Sequence, residues 1–102
     1  MQIITSEELE QMKFRGEKLL VDFYADWCGP CRVLGPRLEN LSSQYPDVTF
    51  VKVNIEENNE YCADMGIRSI PTVMVFEGSK VIGTSIGVQS DTHYKEYLEN
   101  LS

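Results

Sequence analysis

The chain is 102 residues long, 42% apolar and 25% charged, the size and make-up of one globular domain, 1–102, with room for one hydrophobic core. A net charge of −7 disfavours phosphate backbones and anionic membrane surfaces, so neither a nucleic acid nor a membrane is expected as a partner. The opening MQIITSEELE has no basic segment followed by an apolar run, and no apolar stretch approaches the ~20 residues that a bilayer requires; the expected compartment is the cytoplasm, where structural disulfides are rare.

Ile3-Ile4 is a short candidate strand. Thr5-x-x-Glu8 has the form of a capping box, with Leu9 and Met12 on one face of the helix it opens and Gly16 as the stop. Leu19–Ala25, LLVDFYA, is a nearly unbroken apolar run, the pattern of a strand buried on both faces. A helix is predicted from about Cys28 to about Tyr45. Leu34, Leu38, Leu41 and Tyr45 form its apolar stripe, and Pro36 inside it is expected to kink it. Val48–Ile55 reads as a second buried strand and Asn58–Met65 as a short helix stopped by Gly66. Thr72–Phe76 and Lys80–Ile86 read as a hairpin turning at Glu77-Gly78-Ser79. Ser90 caps a last helix with Tyr94, Tyr97, Leu98 and Leu101 on its apolar face. The order βαβαβαββα predicts an α/β fold. Its central mixed sheet is parallel in the early half and antiparallel in the late half, with helices on both faces.

The chemistry concentrates in ADWCGPCR, residues 25–32. Cys28 follows a buried strand at the start of a helix, where free N–H groups and the helix dipole favour a thiolate, the reactive form of cysteine. Pro30 suits a first helical turn, where its missing N–H costs nothing. Cys31 comes one turn later on the same face, within reach of a mixed disulfide on Cys28, and is expected to lie deeper. Arg32 adds positive charge nearby or points to solvent. Two other uses of the pair stay open. A structural staple closing so small a ring stabilises weakly. A zinc site needs further ligands, and only the isolated Cys62 and His93 remain.

Two charges interrupt apolar runs: Asp22 in LLVDFYA and Lys52 in FVKVNI. They form an ion pair or reach solvent at strand ends, or else Asp22 is a buried carboxylate beneath the cysteines, with a raised pKa, that takes a proton from Cys31.

VDFYADWCGPCR, KVNIE, GIRSIPTVMVF and SIGV, in this order and at these separations, resemble the thioredoxin family over essentially the whole chain. The resemblance implies the thioredoxin fold and a thiol–disulfide oxidoreductase that reduces protein disulfides. It makes Cys28 the nucleophile, Cys31 the resolving thiol, and Asp22 and Lys52 a buried acid and its partner. Pro71 matches the family's cis-proline facing the cysteines, although the sequence alone permits either isomer of Ile70–Pro71. Trp27, Gly29, Pro30, Ile70, Pro71 and Gly87 would form a docking surface for an extended substrate strand. Taken by themselves, Trp27 is also readable as a core aromatic and Gly87 as a turn or bulge. Implied partners are a thioredoxin reductase and disulfide-bearing proteins. A monomer with no metal and no cofactor is expected. A non-enzymatic binding subunit using the same face is the alternative. Tyr24 stands where the family often has Trp, Arg32 where Lys is common, and Gly78-Ser79 where Asn-Gly is usual. Cys62 is additional, and is read as a small buried residue or, less simply, as a regulatory thiol.

Overall fold

The structure is a computed structural model that describes residues 1–102. Five strands and four helices follow the predicted order: β1 (Gln2–Ile3), α1 (Ser6–Phe14), β2 (Lys18–Tyr24), α2 (Gly29–Ser42), β3 (Thr49–Asn54), α3 (Asn59–Asp64), β4 (Thr72–Glu77), β5 (Lys80–Ile86) and α4 (Asp91–Glu99). The sheet order is β1-β3-β2-β4-β5. β1 and β2 both run parallel to β3, whereas β4 is antiparallel to β2 and to β5. This is the mixed sheet of a thioredoxin fold.

Local chemistry sets most of the boundaries. The Thr5 hydroxyl accepts the Glu8 N–H at 3.1 Å and the Glu8 carboxylate accepts the Thr5 N–H at 2.9 Å, so both ends of the capping box are closed. β1 begins one residue earlier than Ile3-Ile4. Ile4 lies just past it, buried, and still donates to the Lys52 carbonyl at 2.9 Å. α2 runs through Pro36 but stops at Ser42, short of Tyr45. Pro46 disfavours helical backbone at Tyr45, and the Ser43 hydroxyl turns back to the Asn40 carbonyl at 2.9 Å. Tyr45 packs against the core from beyond the helix end.

Strand alternation divides the core between the two faces of the sheet. Leu19, Val21 and Phe23 join Leu9 of α1 and Cys62 of α3 on one face. Leu20, Val73 and Val75 join Leu34, Leu38 and Leu41 of α2 and Tyr94 and Leu98 of α4 on the other. Asp22 has the parity of Leu20, and Lys52 that of Phe50, so both side chains leave the sheet on the α2 side. Gly83 on β5 serves a close approach: a Cβ there would run into the Tyr97 ring of α4.

Candidate active site

β2 delivers the chain to the C-terminal end of the sheet, and the turn Ala25–Trp27 leads into α2. The Cys28 N–H donates to the Ala25 carbonyl at 3.2 Å, which closes that turn. Cys28 is the N-cap of α2, and its Sγ accepts the Cys31 N–H at 3.2 Å. A helix N-terminus thus points a donor at this sulfur, as the sequence predicts. Cys28 and Cys31 form a disulfide with Cα atoms 5.2 Å apart. No three His, Cys, Asp or Glu side chains gather as a metal-ligand set.

One expectation changes here. Each cysteine is 5% exposed, so Cys31 is not the deeper of the two. Cys31 owes its access to a pocket of about 170 Å³ lined also by Tyr24, Ala25, Asp26, Arg32 and Lys52. Arg32 does not point freely to solvent either. Its Nε and Nη2 donate to the Asp26 carbonyl at 3.1 and 2.8 Å and brace the turn before the cysteines.

Asp22 pairs in register with Lys52 of β3 on one side and with Val73 of β4 on the other. It is fully buried, and neither carboxylate oxygen has a hydrogen-bond partner. No ion pair joins it to Lys52. The half-buried Lys52 instead places Nζ 4.2 Å from the centre of the Tyr24 ring, below Gly35 of α2. Burial lifts the Asp22 pKa from 3.8 to about 6, with the Lys52 charge opposing. Asp22 leaves the sheet on the side of α2, the helix that carries Cys31.

The loop before β4 closes the site from the other side. Thr72 pairs with Phe23, so Ile70 and Pro71 arrive beside the end of β2. Ile70 packs against Tyr24, Ala25, Cys28 and Cys31, as does Ile55. The Ile70–Pro71 peptide is cis. The Gly87 N–H donates to the Pro71 carbonyl at 2.8 Å. Gly87 has φ +80°, a backbone region that side chains disfavour. Trp27 is 64% exposed and donates Nε1–H to Glu56 at 3.0 Å, so it is not a core aromatic. Gly29 and Pro30 are exposed beside it. Ile55 and Glu56 belong to the KVNIE stretch that carries the resemblance but are given no role from the sequence, yet both touch site residues, because β3 ends level with β2.

Cys62 lies in the core on the opposite face of the sheet, 2% exposed, and burial raises its thiol pKa. It should resist iodoacetamide in the native reduced protein and react after unfolding, and Cys62→Ala should leave turnover unchanged. Rapid labelling of Cys62 in the native state would instead favour a regulatory thiol.

Known proteins resemble this arrangement closely. A family model described as Thioredoxin matches residues 2–100. Thioredoxin of Mycoplasmoides gallisepticum is 43% identical over 97 residues, covering 95% of this chain and 97% of that one. Thioredoxin of Chlamydia pneumoniae is 41% identical over 99 residues, covering 97% and 92%. The X-ray structure of Fasciola hepatica thioredoxin superposes with a TM-score of 0.88 at 30% identity, over the whole of both chains.

Proposed function

The chain belongs to the thioredoxin family, and from that premise we propose that Cys28 attacks, Cys31 resolves and Asp22 accepts the proton released between them. The activity is thiol–disulfide exchange. Thioredoxins act on disulfide substrates and work with a thioredoxin reductase. In the proposed sequence the Cys28 thiolate attacks one sulfur of a substrate disulfide, and the other substrate sulfur leaves as a thiolate. Cys31 gives its proton to the Asp22 carboxylate and attacks the Cys28 sulfur. The second substrate sulfur leaves and takes up a proton, and the protein keeps the Cys28–Cys31 disulfide. A reductase then returns two electrons.

The observation that carries this order is the hydrogen bond from the Cys31 N–H to the Cys28 sulfur at the start of α2. It favours negative charge on Cys28 over Cys31, making Cys28 both the nucleophile and the better leaving group. Lys52, beside Tyr24, would moderate the charge on Asp22. Trp27, Gly29, Pro30, Ile70, Pro71 and Gly87 would receive an extended substrate segment. No helix is long and apolar enough to cross a membrane. A single-domain monomer working in the cytoplasm is part of the same proposal, supported by the likeness of most of the chain to bacterial thioredoxins.

An insulin-disulfide reduction assay with dithiothreitol as donor tests the proposal. The wild-type chain should accelerate precipitation of reduced insulin, and Cys28→Ala/Cys31→Ala should not. A physiological complex formed equally well by the double variant would move the role to non-enzymatic binding.

A further inference from the structure

The segment between β5 and α4, Gly87-Val88-Gln89, is short, irregular and placed at the rim of the site. Its backbone is held more completely than a surface loop requires. The Gly87 N–H goes to the Pro71 carbonyl. The Gly87 carbonyl accepts the Tyr94 hydroxyl at 3.3 Å, and the same hydroxyl accepts the Gln89 N–H at 3.0 Å. The Gln89 carbonyl accepts Nη2–H of Arg37 at 2.7 Å, and that guanidinium also pairs with Asp91 at 3.0 Å. Tyr94 stands on α4 and is fully buried, its ring in the core and only its oxygen reaching the loop. Arg37 stands on α2, the helix that carries Cys31.

We propose that Tyr94 and Arg37 are positioning residues for substrate docking, which hold the Gly87–Gln89 backbone in one orientation relative to Pro71 and the cysteine pair. This rests on the reading of Gly87 and Pro71 as part of the docking rim. The two anchors come from different helices and meet on one three-residue segment. All four backbone groups of Gly87 and Gln89 are thereby committed. A docked strand meets a rim already ordered, and binding is spared the entropy of fixing it. A loop freed at one anchor would have to be ordered by the substrate, which weakens binding of an extended polypeptide. A small disulfide that reaches Cys28 without lying along the rim would not sense the change.

Tyr94→Phe removes one oxygen and keeps the ring. With insulin as substrate, KM should rise about fivefold, the equivalent of one net hydrogen bond, with kcat unchanged. Reaction with cystamine should proceed at the wild-type rate. Arg37→Met, at a half-exposed position, should show the same split and carries the decision if Tyr94→Phe folds poorly. Trp27→Ala, which alters the rim directly, separates the possible failures. If Trp27→Ala raises the insulin KM while Tyr94→Phe and Arg37→Met do not, the anchoring role is overturned and the docking rim stands. If none of the three changes KM, the docking reading falls and the anchoring role with it. Equal slowing with insulin and cystamine would mark Tyr94 and Arg37 as merely structural and would overturn the proposal.

Discussion

Cys31→Ser should yield a protein that attacks disulfides and cannot release them. Cys28 keeps its place at the N-terminus of α2, and the Cys31 backbone N–H that bonds its sulfur is unaffected by a side-chain change. The first exchange therefore proceeds at close to the wild-type rate. The second requires a thiol one turn along, and serine supplies a hydroxyl that is not ionised at neutral pH. Well-placed intramolecular groups reach effective molarities of about 10⁵ M or more, so losing Cys31 should cost turnover roughly 10³-fold or more, with only solution thiols left to resolve the complex. Non-reducing gels should show a covalent complex with a disulfide substrate that dithiothreitol dissolves. Cys28→Ser should show neither turnover nor complex. If the complex accumulates with Cys28→Ser instead, the two thiols have the opposite roles.

Asp22→Asn should make the fold more stable and the enzyme slower. The carboxylate is fully buried with no partner for either oxygen. Its folded pKa is about 6 against an ordinary 3.8. A raised acid pKa means that the folded state binds the proton more tightly than the unfolded state. Below pH 3.8 both states are protonated and the group costs nothing. The cost grows as pH rises toward 6 and is constant above that. Two pH units at 1.36 kcal/mol each set a ceiling of about 3 kcal/mol. Asparagine removes the charge but leaves a buried amide without assured partners, which takes back part of the gain. The expected net stabilisation is about 1–3 kcal/mol at pH 7.5 and close to zero at pH 4, read from urea unfolding at both values. The resolving step should slow by up to about 100-fold, the low end of what a positioned base contributes, since solvent reaches the pocket beside Cys31. Stopped-flow reduction of a disulfide substrate measures it. A less stable Asp22→Asn protein would mean that Lys52 offsets the buried charge, and the proton-accepting role would lose its support.

The sequence discloses the parts of the site whose chemistry is local. A cysteine pair at a strand–helix junction and a carboxylate inside LLVDFYA stand out because each breaks a pattern. The hairpin and capping box are legible for the same reason. What stays hidden depends on where side chains travel after the chain has folded. Asp22 and Lys52 read as a pair, yet the lysine turns to the Tyr24 ring, its Nζ passing beneath Gly35. Relative depth of the two cysteines follows from a pocket built by β2, β3 and α2 together. Trp27 carries the largest apolar side chain in the motif and still lies on the surface, because Glu56 at the end of another strand takes its N–H. Tyr94 falls on the apolar stripe of α4 and reads as core; nothing about its spacing tells that its oxygen reaches a loop five to seven residues back.

The antiparallel neighbour of β2 has a consequence for the order in which the protein becomes competent. Cys28 and Cys31 lie within the first 31 residues, whereas β4, the strand that Ile70 and Pro71 lead into, pairs with β2 from about 50 residues downstream. During synthesis a chain that has emerged only through β3 carries the dithiol with one flank of its strand unpaired. Its sulfurs can already exchange with a disulfide they meet, but of the proposed docking residues only Trp27, Gly29 and Pro30 are present. On the proposed docking surface the share supplied by Ile70, Pro71 and Gly87 arrives with the C-terminal third, so a translation product ending before β4 should exchange disulfides with less discrimination than the whole chain.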